Sequence, residues 1–245
     1  MATKTKSVRE VPASRSHLVA TDVGALLRAR NPLLWVTTRE EVRVEQYIIE
    51  AAGAAGYVAY TWDIAQGPRT AGGDELRGVG GADPGEMMSA IAARAETGNE
   101  RAVWIMRDLA PWLRDLTGAA PLRMLRNLAR ALPTAPRERA QAVVILSAYG
   151  DIPPELSTCA AAIEWPLPDR AEIAEILDTA VEALPDDVRA SALTKESREA
   201  AIDATVGLSG EEAQACYAKS LVQSRKIVPA TVAAAVRQVK VADDG

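Results

Sequence analysis

Short apolar runs and longer apolar repeats alternate along most of the chain. Residues 33–36, Leu-Leu-Trp-Val, are bounded by Pro32 in front and by Thr37 and Thr38 behind, and a charged, helix-favouring segment begins at once. That pattern predicts a buried strand turning straight into a helix, the first β-α unit of a parallel sheet. Across 40–55 the apolar positions Val44, Tyr47, Ile48 and Ala51 recur at helical spacing, and Gly53 and Gly56 close the segment. Residues 57–62 then read as a second strand, 102–106 as a third, 142–146 as a fourth and 161–165 as a fifth. Between them, 84–96 reads as a helix, and Pro121 is expected to open another. That helix would carry Leu122, Leu125, Ala129 and Leu132 on one side and Arg123, Arg126 and Arg130 on another.

Upstream of the first strand, Asp22 reads as the N-cap of a short helix holding Val23, Leu26 and Leu27 and ended by Asn31-Pro32. The glycine-rich stretch 67–85 reads as a long flexible loop. From Asp169 onward the rhythm changes to helices alone: one with Ile173, Ile176 and Leu177, then 196–205, 210–221 and 229–239. The layout this predicts is a flexible tail at 1–16, an α/β core at 17–168 and a small all-helical domain at 169–245. Strands alternating with helices imply a five-stranded parallel sheet covered on both faces.

Composition narrows the classes. The 245 residues are 48% hydrophobic and 25% charged, the balance of a globular protein, and the net charge of −5 gives no global reason to expect nucleic acid or a membrane surface as a partner. Cys159 and Cys216 stand far apart, which suits free thiols in a reducing cytoplasm. No apolar run approaches a membrane span.

In nucleotide-binding folds of this kind the turn after the first strand cradles phosphate through glycine backbone N–H groups, a Lys and a Ser or Thr. Here that turn holds Thr37, Thr38 and Arg39, and the chain contains no Gly-Lys dipeptide. Asp108 ends the third strand, where ATPases of this fold hold a magnesium-binding acid, but Leu109 follows instead of a water-activating Glu. A solvated or helix-capping aspartate explains Asp108 equally well. Ser147 ends the fourth strand, where a polar group could sense a γ-phosphate. The single histidine, His17, lies near the tail and offers no triad or His-rich metal site, so no catalytic or metal residue is assigned. Acid pairs such as Glu40-Glu41 read as helix starts and solvated faces. Thr38 and Glu41 have the spacing of a capping box. Arginines between 107 and 139 and acids between 172 and 212 are either solvated faces or opposite halves of a head-to-tail contact.

Several stretches together resemble the AAA+ ATPases. Ile152-Pro153-Pro154-Glu155-Leu156 and the run Ile163-Glu164-Trp165-Pro166-Leu167-Pro168-Asp169-Arg170 resemble the end of an AAA+ core entering its lid. Gly207-Leu208-Ser209-Gly210-Glu211-Glu212 resembles the start of the sensor-2 helix. Residues 31–41 and Tyr60-Thr61-Trp62-Asp63 resemble the N-terminal half of a bacterial, phage and plastid subgroup in which a degenerate ATPase-like module precedes an active one. The resemblance implies a P-loop NTPase-type α/β core with a helical lid, and an oligomeric assembly. The Walker A lysine, the Walker B glutamate, arginine fingers near 157–160 and a sensor-2 arginine all lack counterparts. It further implies a vestigial nucleotide site at Thr37, Thr38, Arg39, Asp108 and Ser147, with no cofactor expected in this chain. The partners it implies are an active AAA+ module or neighbouring subunits in a ring, and a protein substrate or cargo. Two alternatives remain: a divergent ATPase binding ATP and magnesium through Thr37, Thr38, Arg39 and Asp108, and a stand-alone protein-binding adaptor of another family.

Overall fold

Leu33 and Trp35 face one side of a sheet and Leu34 and Val36 the other, and all four are buried. A strand apolar on both faces must lie between two helical layers. In the computed structural model of the protein, residues 13–243 are described. Helix α1 (Arg15–Arg28) precedes strand β1 (Leu33–Thr37), followed by α2 (Glu41–Ala54), β2 (Val58–Asp63) and β3 (Gly67–Thr70). Then come α3 (Pro84–Thr97), β4 (Ala102–Arg107), α4 (Asp115–Ala131), β5 (Gln141–Ser147) and β6 (Ala160–Glu164). Helices α5 (Arg170–Glu182), α6 (Asp186–Ala192), α7 (Lys195–Thr205), α8 (Gly210–Ser224) and α9 (Pro229–Asp243) complete the chain.

The sheet order is β3-β2-β4-β5-β1-β6, parallel except for the β2–β3 pair. One face packs Leu33, Trp35, Trp62, Trp104 and Ile145 against Met87, Met88 and Ile91 of α3 and Leu125 and Leu128 of α4. The other packs Leu34, Val36, Val144 and Leu146 against Val23 and Leu27 of α1 and Val44 and Ile48 of α2. The buried tryptophans keep their polar edges bonded: Trp104 Nε1 donates to Gln141 Oε1 at 2.9 Å, and Trp62 Nε1 to the Gly81 carbonyl at 2.8 Å. The C-terminal helices enclose a separate apolar core around Ile173, Leu177, Tyr217 and Val232.

The alternation of strands and helices, and the helical C-terminal region, are as the sequence pattern predicts. Four local features differ. The sheet has six strands rather than five, because Gly67–Thr70 leaves the glycine-rich stretch to pair antiparallel with β2. Asp63 sets that turn by accepting from the N–H groups of Ala65 and Gln66, and Gly67 takes a left-handed φ of 69°. Second, α1 begins at Arg15, capped by the Ser14 hydroxyl, which accepts from His17 N; Asp22 lies inside the helix. Within the expected tail at 1–16, residues 14–16 therefore belong to α1 and its cap, and 1–12 lie outside the described residues. Third, α4 begins at Asp115 and Pro121 lies inside it rather than opening it; Gly118 packs so closely on the preceding turn that a Cβ there would lie 2.6 Å from the Leu113 carbonyl carbon. Fourth, α6 has seven residues, too few to show a period in sequence.

Candidate functional site

The sheet order places the C-terminal ends of β4, β5 and β1 side by side, so Asp108, Ser147, Thr37 and Thr38 share one edge. In open α/β sheets, ligands bind outside the strand C-termini. Thr37 lies opposite Ser147, and Thr38 N–H donates to the Ser147 carbonyl at 3.0 Å. The Ser147 hydroxyl is buried with no hydrogen-bond partner among the described residues. Asp108 is exposed, takes a left-handed φ of 49° and donates its backbone N–H to the Leu146 carbonyl at 2.9 Å. Arg39 is exposed in the turn between β1 and α2.

That turn is built differently from the expectation at Thr38. No capping box with Glu41 forms; Glu40 is the N-cap position of α2, and Thr38 Oγ1 accepts instead from Glu40 N–H at 3.1 Å. From this turn Glu40 points inward. Expected as a solvated helix start, Glu40 is 3% exposed.

Arg43, one helical turn on, meets the Glu40 carboxylate with two bonds, Nε to Oε1 at 3.0 Å and Nη2 to Oε2 at 2.5 Å. Its remaining donors reach Ser16 Oγ (2.7 Å), Glu172 Oε1 (3.1 Å) and the Pro166 carbonyl (2.9 Å). Glu40 Oε1 also accepts from the backbone N–H of Gly210, the first residue of α8, at 2.5 Å. A carboxylate thus sits at the positive end of α8, where a helix favours an anion. On the same network, Tyr47 Oη donates to Glu172 Oε1 at 2.9 Å, and Glu172 closes a capping box with Asp169 at the start of α5. Burial, and then the Glu172 carboxylate, push the Tyr47 phenol up to about 12. Burial alone would raise the Asp169 carboxyl, but the N–H groups of Arg15, Glu172 and Ala171 together bring it below its ordinary value. A groove of about 380 Å³ opens beside these groups, lined by Arg43, Tyr47, Glu172, Glu175 and Gln214 among others.

A second cluster covers the ends of β2 and β4. Arg107 grips Glu45 with two parallel bonds of 2.6 and 2.7 Å and reaches Asp63 at 3.4 Å. Burial raises the nearby Glu41 carboxyl, against the opposing pull of Arg107. Sequence reasoning missed both clusters. The signal available was the Glu40–Arg43 spacing on one helix face, but its partners lie far along the chain. Among the described residues no group of three or more His, Cys, Asp or Glu side chains could hold a metal, and no helix is long and apolar enough to cross a membrane.

Residues 19–165 match the family model of the N-terminal domain of SpoVK-like AAA ATPases, and residues 171–240 match that family's second domain. The chain belongs to the SpoVK-like AAA ATPases. Curated relatives of this SpoVK-like chain include the uncharacterized AAA domain-containing protein ycf46 of Guillardia theta, 28% identical over 84% of the chain and 38% of the relative. The ycf46 protein of Trieres chinensis is 29% identical over 65% of the chain and 30% of the relative. The chain therefore spans well under half the length of these relatives.

Solved structures show the same fold. The FIGL-1 AAA domain in complex with ADP aligns with a TM-score of 0.56 at 14% identity, over 86% of this chain and 72% of that one. C. elegans PCH-2 gives 0.54 at 11%, over 92% and 68%. The E. coli MS115-1 HORMA:CdnC:Trip13 complex gives 0.57 at 10%, over 90% and 86%.

Proposed function

We propose that this SpoVK-like chain is an AAA+ module without hydrolysis of its own. Its role is binding: it seats against an active AAA+ module or neighbouring subunits, and positions or recruits a protein substrate or cargo. The observation that carries this reading is the buried Glu40 carboxylate, bonded at once to Arg43 and to the N-terminus of α8. A nucleotide-dependent module needs a phosphate between the helix after its central strand and its C-terminal helices; here a side chain of the protein supplies the negative charge that joins α2 and α8.

The residues do not fit a magnesium triphosphate. The turn offers no glycine cradle and no lysine, Thr38 Oγ1 is engaged by Glu40 N–H, and Leu109 is fully buried where a base would stand. The two thiols, Cys159 and Cys216, are free, in keeping with a cytoplasmic setting.

Calorimetric titration with Mg-ATP tests the reading, with no binding heat expected at millimolar nucleotide. One observation favours the ATP-binding alternative: the Ser147 hydroxyl is buried without a partner beside Thr37, where a ligand oxygen would satisfy it. A submillimolar affinity lost on Asp108→Ala would establish that nucleotide binds, and phosphate release above background lost with it would overturn the first reading.

A further inference from the structure

We infer that the outer edge of β6 is a docking site for a cationic, extended segment of another protein, added as a further strand of the sheet. This goes beyond the functional reading above and holds with or without nucleotide.

Strand β6 closes the sheet order, and among the described residues no strand lies beyond it. Trp165 N–H donates to the Thr37 carbonyl at 3.3 Å, toward β1. By the alternation of a parallel ladder, Ile163 and Ala161 also face β1, whereas Ala160, Ala162 and Glu164 turn their N–H and C=O groups outward. Edges are usually protected by lysine, proline, a bulge or a covering element. Residues Ala160–Glu164 hold three alanines, one isoleucine and one glutamate, with Ala162 and Glu164 exposed. Small side chains leave the backbone open to an incoming strand.

Charge names the occupant. From Tyr149 to Trp165 the chain carries Asp151, Glu155 and Glu164 and no lysine or arginine. All three acids are exposed, and none pairs with a base among the described residues. Beside the edge lies a cavity of about 330 Å³ with Trp35, Ile152 and Ala162 on its walls and Asp151 and Glu164 among its lining. Trp35 Nε1 fixes the loop over it by donating to the Gly150 carbonyl at 3.0 Å. An apolar wall with carboxylates fits the alkyl stem and charged tip of a lysine or arginine. Strand addition supplies affinity through the main chain and specificity through such a pocket.

The test uses the purified chain and a fluorescein-labelled octapeptide alternating Lys and Val, followed by anisotropy. The expected result is saturable binding, weakened roughly tenfold or more by Ala162→Pro, which removes one outward N–H, and by N-methylation of alternate peptide nitrogens. A Glu-Val octapeptide should fail to bind the native chain and gain affinity for the Asp151→Lys/Glu164→Lys variant. The N-methylated peptide keeps the charge and leaves the protein untouched, so it decides the matter even where Ala162→Pro disturbs folding. Absence of binding by the Lys-Val peptide, or equal binding of the N-methylated one, overturns the inference. So does a dimer by light scattering that Ala162→Pro converts to monomer, since the occupant would then be a second copy.

Discussion

The carboxylate of Glu40 accepts the backbone N–H of Gly210 at 2.5 Å, joining positions 170 residues apart. The bond runs from the turn after the central strand to the first residue of α8. With Arg43 bonded to Glu40, Glu172 and Pro166, it ties the sheet to the C-terminal helices through one buried set of charges.

Removing Glu40 takes from Arg43 its two-bonded partner, leaving it Glu172, and takes from the Gly210 N–H its acceptor. Glu40→Ala is expected to destabilise the protein by about 1–3 kcal/mol, read as a lowered urea midpoint. The double variant Glu40→Ala/Arg43→Ala should cost less than the sum of the two single changes, because both charges leave together. Additive losses would show that the pair is not coupled.

Tyr47 makes a pH prediction. Its phenol is held neutral up to about 12 in the folded chain, against about 10 in an unfolded one. The folded state therefore keeps a proton that the unfolded state releases first. The stabilisation is complete below pH 10 and is lost as pH rises toward 12. Tyr47→Phe should flatten that part of the alkaline stability profile and delete one late phenolate from the ultraviolet titration. An unchanged profile would refute the assignment.

Between 107 and 139 the chain carries seven arginines and three acids; between 172 and 212 it carries eleven acids and three bases. Patches of opposite charge on one molecule suit head-to-tail contacts between copies. Replacing Arg123, Arg126 and Arg130 by Glu is expected to lower the assembled mass measured by light scattering, more so at low salt. An unchanged mass would remove these arginines from any such contact.

Gly118 tests the packing of α4. A methyl group there would lie 2.6 Å from the Leu113 carbonyl carbon and 3.0 Å from the Trp112 carbonyl oxygen. Gly118→Ala should cost about 1–3 kcal/mol despite the better helix propensity of alanine, because backbone must move. A stabilised variant, by thermal melting, would mean that the contact yields easily.

Much of the architecture was legible in local pattern. The runs around Leu34, Ile105 and Val144 are apolar on both faces, and only a strand between two helical layers satisfies that. The repeats through Val44 and Ile48, or Ile173 and Leu177, have helical spacing whatever surrounds them. The family resemblance at 31–41 and 163–170 likewise lay in contiguous residues. The positions of Thr37, Thr38, Ser147 and Asp108 at strand ends followed from the same reading.

The tertiary structure decided what depends on distant partners. Gly67–Thr70 is a strand only because β2 offers its edge. Glu40 and Glu41 are adjacent, identical in type and both at a helix start, yet Glu40 is 3% exposed and Glu41 has a side chain 43% exposed. Nothing local separates them. The chain itself determined the layers and the helix that follows the central strand. The fold decided which glutamate turns inward, because a buried carboxylate is stable only where Arg43 and the N-terminus of α8 converge on it.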